Sequence, residues 1–141
     1  MNSEGLYVLT YDTHIVPYEL DGSLKTILVG VPGAFTPGCT RNHLPGFANN
    51  MDKLKEKGIE KVVFVATNDA YVMDAWNSLH GHEDIDPVSD PKGKFLQSIG
   101  KLEEWSEEWG IRCSRFAVLI ENNEITQTFE NPFIDGVLDN I

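Results

Sequence analysis

Val31-Pro32-Gly33-Ala34-Phe35-Thr36-Pro37-Gly38-Cys39-Thr40 is a loop of turn-forming residues that leads into a helix. Thr36 suits the position that caps a helix, and Pro37 suits the first helical position, where its missing N–H costs nothing. Apolar residues then recur at spacings of three and four until Gly58 ends the pattern. Because Pro45 lies inside this pattern, the sequence predicts a kinked helix.

Strands flank this helix on both sides. Apolar or β-branched runs predict strands over residues 6–11 and 26–31, and the continuous apolar run 62–66 predicts a strand that is buried on both faces. The remaining predicted elements are a helix from Asn68 or Asp69 through Trp76, a helix from Asp90-Pro91 through Ile99, strands over 115–120 and 125–129 joined by a turn at Asn122-Asn123, and a short helix after Asp135. This order predicts one α/β domain over residues 1–141, with a mixed sheet flanked by helices.

Composition and charge exclude several classes of function. The chain has 141 residues, with 22 acidic and 11 basic side chains, for a net charge of −11. A field of that sign repels phosphate backbones and anionic lipid, so we expect neither a nucleic-acid nor a membrane partner. The apolar runs are too short to span a bilayer, and the first residues resemble neither a secretory signal nor a transit peptide. We therefore expect a cytoplasmic protein.

Cys39 is the candidate nucleophile. As the third helical residue it lies in the first turn, where backbone N–H groups lack an intrahelical partner and carry partial positive charge. Such a position stabilises a thiolate. The alternative is a small buried hydrophobic side chain, but the Gly and Pro residues before Cys39 favour exposure at the junction of loop and helix. The sequence therefore predicts an exposed, reactive cysteine.

Together with His43-Leu44-Pro45-Gly46-Phe47, this loop resembles the active-site loop of the peroxiredoxins, most closely that of the type-five atypical class. The family pattern of Pro, three residues, Thr, two residues and Cys falls on Pro32, Thr36 and Cys39. Residues 67–73 and 114–118 continue the resemblance in order. It implies a thioredoxin-like fold and a thiol peroxidase acting on hydrogen peroxide and small organic hydroperoxides.

The resemblance implies a role for each residue of the site. Cys39 would be the peroxidatic cysteine, whose thiolate attacks a peroxide oxygen and becomes a sulfenic acid. The backbone N–H groups of Gly38 and Cys39 would stabilise charge on the departing oxygen, with the Thr36 hydroxyl orienting thiolate and peroxide. Arg115 would hold the thiolate and the peroxide together, and Pro32 would shield the sulfur from water. Without the resemblance, Thr36 is a plain helix cap and Arg115 a surface charge.

His43 and Trp76 are two further candidates. His43 follows Cys39 by four residues, which places both on one helix face and permits a Cys–His pair, so a cysteine hydrolase is an alternative. The resemblance instead makes His43 a residue that lines the substrate pocket. Trp76 is either a wall near that pocket or a plain core aromatic.

The resemblance leaves the reductant open. Type-five members often carry a resolving cysteine near the C-terminus, but no cysteine follows Phe129. This departure predicts that an external thiol reduces the sulfenic acid, either glutathione, alone or with glutaredoxin, or thioredoxin. Cys113 is a candidate resolving cysteine if it shares a strand face with Arg115, and the alternative is an inert, half-buried thiol.

The resemblance also implies a homodimer.

Two alternative functions differ from a peroxidase. One is a redox sensor or relay that passes oxidation from Cys39 to a protein partner, and the other is a non-catalytic binding module with an inert Cys39. Both alternatives would have to be separated from a peroxidase by experiment.

Two other segments attract attention. His80-Gly81-His82-Glu83-Asp84-Ile85-Asp86 is rich in possible metal ligands, but its two histidines are not spaced to meet on a helix face. We therefore predict a solvated loop and expect no metal and no cofactor.

Residues 101–109 combine four acidic side chains with Trp105 and Trp109, which predicts an acidic helix packed on the core or, alternatively, a face that docks a partner.

Overall fold

The computed structural model describes every residue from Met1 to Ile141 and contains nine strands, five α-helices and one π-helical turn. In chain order they are β1 Tyr7–Leu9, β2 Ile15–Pro17, β3 Thr26–Gly30, the π-turn Cys39–His43, α1 Leu44–Ala48, α2 Met51–Glu56, β4 Lys61–Ala66, α3 Ala70–His80, β5 Ile85–Ser89, α4 Lys94–Ser98, β6 Leu102–Glu104, β7 Ile111–Cys113, β8 Phe116–Glu121, β9 Glu124–Thr128 and α5 Ile134–Leu138. None of these helices is long and apolar enough to cross a membrane.

Seven strands form one mixed sheet in the order β2-β1-β5-β4-β3-β8-β9. The central strands β3, β4 and β5 are parallel, and β8 runs antiparallel to β3. Both β3 and β4 are almost wholly buried, as their continuous apolar sequences require in a sheet covered on both faces. The predicted mixed α/β sheet is confirmed.

The sheet separates two apolar clusters, which we name after the cysteine that each contains. The Cys39 cluster has 20 buried residues and the Cys113 cluster has 12. Phe64 of β4 belongs to the first, whereas its neighbours Val63 and Val65 belong to the second. Because successive side chains of a strand point to opposite faces, the two clusters, and with them the two cysteines, lie on opposite sides of the sheet.

The long helix predicted up to Gly58 is divided into three parts rather than kinked once. In the π-turn the N–H of Leu44 bonds the carbonyl of Cys39, five residues back. Pro45 has no N–H to offer, and in an α-helix its ring would meet the carbonyl four residues back, so a wider turn before it relieves that clash. A second break falls at Asn49-Asn50, between α1 and α2.

The acidic helix predicted over residues 101–109 is wrong. This segment contains β6, which pairs with β7 to form a two-stranded sheet of its own. The turn between them uses Gly110 at φ 72°, a conformation that glycine adopts without strain. Trp105 and Trp109 pack on each other across this turn, with ring centroids 5.3 Å apart. The spacing that suggested a helical stripe therefore serves a hairpin instead.

Other boundaries differ less. Asp69 caps α3 by accepting the N–H of Val72 at 2.9 Å, as predicted, although the helix continues beyond Trp76. Asn122 and Asn123 form the predicted hairpin turn with φ of 51° and 64°. The segment predicted as a loop over residues 80–86 is a loop only in part, because β5 begins at Ile85.

Candidate active site

Cys39 begins the π-turn, at the predicted junction of loop and helix, but its side chain is fully buried. The prediction of an exposed cysteine is wrong. Val31 and Ala34 of the preceding loop belong to the same cluster as Cys39, so this loop packs back over the start of the helix. The sulfur nevertheless has a polar neighbour, because the Nη2 of Arg115 donates a hydrogen bond to it at 3.3 Å.

Arg115 lies between two partners. Its Nη2 faces the sulfur of Cys39, and its Nη1 contacts Nδ1 of His43 at 2.6 Å. Its guanidinium also lies over the ring of Phe133, 5.2 Å from the centroid. Gly38 makes room for this arrangement, since a Cβ added there would lie 3.2 Å from Nη2. Arg115 is thus held beside Cys39 and is not a surface charge.

The hydrogen bonds of His43 fix its tautomer. A guanidinium can only donate, so Nδ1 accepts from Arg115, and Nε2 carries the proton that it donates to the carbonyl of Pro132 at 2.8 Å. The ring stacks on Phe133 with centroids 4.4 Å apart. Burial lowers the pKa of His43 to about 4; the charge of Arg115 acts in the same direction, and the bond to Pro132 opposes it.

His43 is therefore neutral at physiological pH, and both its nitrogens are engaged. It can neither form an ion pair with Cys39 nor accept a proton from it. The Cys–His pair of a cysteine hydrolase, considered as an alternative from the sequence, is wrong for this site.

Thr36 lies just before the first helical residue, as predicted, and its carbonyl accepts the N–H of Thr40 at 3.0 Å. Its hydroxyl donates to the carbonyl of Gly33 at 2.6 Å, and its backbone N–H bonds the same carbonyl at 3.3 Å. The hydroxyl therefore makes no capping bond, and its oxygen keeps its lone pairs as acceptors. Pro32 is buried, as a shielding role requires.

Trp76 is a fully buried core aromatic that also tethers the π-turn. Its ring packs edge-on against Phe64, with centroids 6.1 Å apart. Its Nε1 donates to the hydroxyl of Thr40, the residue after Cys39, at 3.1 Å. Trp76 thus helps to fix the direction of the turn that carries the cysteine.

Cys113 lies across the sheet from Cys39, in the other apolar cluster. It ends β7, whereas Arg115 precedes β8, so the predicted shared strand face is wrong. Both cysteines are free, and Cys113 is buried in its own cluster, where a Cβ on Gly30 would come within 2.7 Å of its sulfur. Burial, and then the nearby carboxylate of Asp90, raise the pKa of the Cys113 thiol, which makes it a poor nucleophile.

Three contributions to the site were missed from the sequence. Asn68, which the sequence predicts only as a possible helix cap, accepts the N–H of Ala34 at 2.8 Å. Arg112 donates to the carbonyl of Pro32 at 3.3 Å. The segment with Pro132 and Phe133 holds His43 through a hydrogen bond and ring stacking. None of these has a local signal, since each depends on contacts between distant parts of the chain.

No group of three or more His, Cys, Asp or Glu side chains is arranged to hold a metal ion.

Known proteins resemble this chain over most of its length. The redoxin family model matches residues 10–140. The chain is 43% identical over 103 residues to Peroxiredoxin Pen c 3 of Penicillium citrinum, covering 72% of this chain and 59% of that protein. It is 40% identical over 111 residues to Peroxiredoxin-2C of Oryza sativa subsp. japonica, covering 77% of this chain and 68% of that one. The chain belongs to the peroxiredoxin family.

Solved structures agree with this membership. Reduced Prx3 of Vibrio vulnificus in complex with H₂O₂ is 32% identical to this peroxiredoxin, with a TM-score of 0.91 and coverage of 98% of this chain and 93% of that one. Peroxiredoxin 5 of Alvinella pompejana is 29% identical, with a TM-score of 0.78 and coverage of 95% and 88%. The predicted thioredoxin-like fold is confirmed.

Proposed function

We propose that this peroxiredoxin is a thiol peroxidase that reduces hydrogen peroxide and small alkyl hydroperoxides through Cys39. The observation that carries the proposal is the guanidinium of Arg115 at 3.3 Å from the Cys39 sulfur within a buried site. A guanidinium keeps its proton throughout a reaction, so it can stabilise a thiolate and then a charged oxygen at the same place. Cys39 is fully buried, and the lower dielectric around its sulfur strengthens both interactions.

The oxidative step needs no cofactor. The thiolate attacks one peroxide oxygen, so that an S–O bond forms while the O–O bond breaks. The sulfur is oxidised by two electrons to a sulfenic acid, and the departing oxygen takes a proton and leaves as water or an alcohol. Arg115 and the backbone N–H groups of Gly38 and Cys39 would stabilise that oxygen. Thr36, whose proton is engaged by Gly33, would accept the hydrogen of the peroxide and so orient it.

We further propose that the chain is of the type-five class and that, because no cysteine follows Phe129, an external thiol completes the cycle. A first thiol attacks the sulfenic acid and releases water, giving a mixed disulfide, and a second releases Cys39 as the thiol. Glutathione, alone or with glutaredoxin, is the first choice and thioredoxin the second. Two features support reduction by an external thiol. Cys113 lies across the sheet from Cys39. The C-terminal segment contributes Pro132 and Phe133 to the site, and neither is a cysteine.

A homodimer in a reducing compartment such as the cytoplasm would suit this cycle. Phe35 and Leu79 are large apolar side chains with 47% and 69% of their surface exposed. The ring of Phe35 packs edge-on against His80 at the end of α3, and Leu79 is the preceding residue of that helix. A second copy of the chain would cover the exposed side chains of Phe35 and Leu79. A reducing compartment would supply the external thiol.

The deciding experiment measures intact mass and residual thiol after one equivalent of tert-butyl hydroperoxide. Wild type should rapidly gain one oxygen atom that glutathione can trap, and Cys39→Ser should not. Loss of two hydrogens would instead identify a Cys39–Cys113 disulfide, with Cys113→Ser as the matched control. Absence of a rapid change would refute the peroxidase. Oxidation of Cys39 without turnover by glutathione or thioredoxin systems would favour the relay to a protein partner.

A further inference from the structure

The loop that covers Cys39 contains a strained residue. We call residues 32–36 the cover loop. Within it Phe35 has a φ of 65°, a left-handed conformation that is unfavourable for a bulky side chain. Such a conformation persists only where neighbouring contacts hold the chain on several sides. The contacts that hold the cover loop therefore decide whether it stays closed.

Arg112 provides one of these contacts from outside the loop. Its Nη1 donates to the carbonyl of Pro32 at 3.3 Å. Its Nε donates to the carbonyl of Trp109 at 2.8 Å, and its guanidinium lies over the Trp109 ring, 5.4 Å from the centroid. A Cβ on Gly33 would lie only 2.9 Å from Nη1, so the absence of a side chain there allows this approach.

The other contacts complete the attachment of the loop. Asn68 holds the N–H of Ala34, and Thr36 donates twice to the carbonyl of Gly33. Arg112 makes the one hydrogen bond that joins the cover loop to the hairpin of β6 and β7. That hairpin is itself fixed to the end of β4, where the hydroxyl of Thr67 donates to the carbonyl of Ile111 at 3.3 Å.

We infer that Arg112 is a positioning residue that latches the cover loop over Cys39 and thereby sets how readily an external thiol reaches the sulfur. It contacts no reacting atom, and acts on Cys39 only through Pro32 and Gly33. Its planar group donates from two atoms, Nε to Trp109 and Nη1 to Pro32, whereas a lysine has all its donors on the single flexible Nζ. The catalytic consequence rests on the proposed peroxidase, because the closed loop would favour reaction with a small peroxide and oppose entry of a bulky thiol. The effect of Arg112 on the accessibility of the Cys39 sulfur does not depend on the proposed peroxidase activity.

The test compares Arg112→Met and Arg112→Lys with wild type. Arg41→Met is the matched control, since Arg41 is exposed and lies on the π-turn that carries Cys39. Alkylation of the reduced protein by iodoacetamide is followed by peptide mass spectrometry, which resolves the two cysteines. Loss of a hydrogen bond from a charged group should accelerate alkylation of Cys39 about tenfold in both Arg112 variants. Alkylation of Cys113 should be unchanged, and Arg41→Met should match wild type.

Three results would overturn the latch. Wild-type alkylation of Cys39 in Arg112→Lys would mean that the charge matters and the bridging contact does not. Parallel acceleration at Cys113 would mean general loosening of the fold. Unchanged alkylation in both variants would mean that Arg112 does not hold the loop. Peroxide oxidation of Cys39, measured in the same variants, should slow about tenfold. If wild type fails to react with peroxide, the proposed function fails, while the alkylation rates still decide the latch.

Discussion

His43 makes two hydrogen bonds, and two substitutions separate them. His43→Asn keeps a polar atom near the place of Nδ1, which accepts from Arg115 at 2.6 Å. His43→Gln keeps one near the place of Nε2, which donates to the carbonyl of Pro132 at 2.8 Å. The first variant therefore preserves the partner of the guanidinium, and the second preserves the partner of the C-terminal segment.

The size of each effect follows from what is left unpaired. In His43→Gln the partly buried Nη1 of Arg115 loses its acceptor, at a cost of about 1–3 kcal/mol. Arg115 avoids this unfavourable state by turning away from the Cys39 sulfur. The stabilisation of the thiolate is then lost, and oxidation slows. The rate constant for oxidation should drop by about 10- to 100-fold. In His43→Asn the carbonyl of Pro132 loses its donor, which should lower the free energy of unfolding by about 1 kcal/mol.

The assay measures the second-order rate constant for sulfenic acid formation with tert-butyl hydroperoxide, by stopped flow, alongside urea unfolding at pH 7. His43→Leu, which lacks both bonds, is the reference for the combined loss. We expect His43→Asn to oxidise close to the wild-type rate and His43→Gln to oxidise slowly. If the Asn variant is as slow as the Gln variant, His43 does not act by holding Arg115, and the reasoning is refuted.

Three further predictions concern other parts of the site. The pKa of His43 is about 4 in the folded chain against 6.5 for an ordinary histidine, so the unfolded chain takes up this proton first as the pH falls. The free energy of unfolding should therefore fall by about 3 kcal/mol more in wild type than in His43→Asn between pH 7 and pH 4, and equal losses in urea titrations would contradict this. Gly38→Ala should stabilise the chain by about 0.5–1 kcal/mol, because residue 38 is helical, yet slow oxidation about tenfold by displacing Arg115. A variant both stable and fast would contradict it. Cys113→Ala should oxidise at Cys39 as wild type does, at a cost of about 1 kcal/mol in unfolding free energy, and a slower rate would give Cys113 a part in turnover.

Local sequence predicted the elements whose causes are local. The helix start before Cys39, the capping Asp69 and the Asn122-Asn123 turn all depend on residues within a few positions of one another. The continuous apolar run of β4 likewise indicates from its own residues that the strand is buried on both faces. Arg115 was singled out by resemblance to the peroxiredoxins, and the structure brings it to the sulfur.

What the sequence did not predict depends on contacts between distant residues. The tautomer of His43 is fixed by the carbonyl of Pro132, 89 positions away. The burial of Cys39 follows from a loop that packs back over the helix, which no periodicity describes. Trp105 and Trp109 have helical spacing, but Gly110 and pairing with β7 outweigh it.

The π-turn makes chain length itself a constraint. In an α-helix, residues five apart point about 140° apart around the axis, so Cys39 and Leu44 would face different surroundings. The i to i+5 bond between them brings both into the core, where both are fully buried. Deleting one residue within 40–43 would place Cys39 and the former Leu44 four apart, about 40° around an ordinary α-helix, so the two would still share a face. The same deletion would remove His43 or change its spacing from Cys39, and so displace the acceptor of Arg115. An extra residue at Asn49-Asn50, where the helix is already interrupted, would leave that geometry intact. Insertions and deletions among related chains should therefore be found at the second position and be selected against at the first.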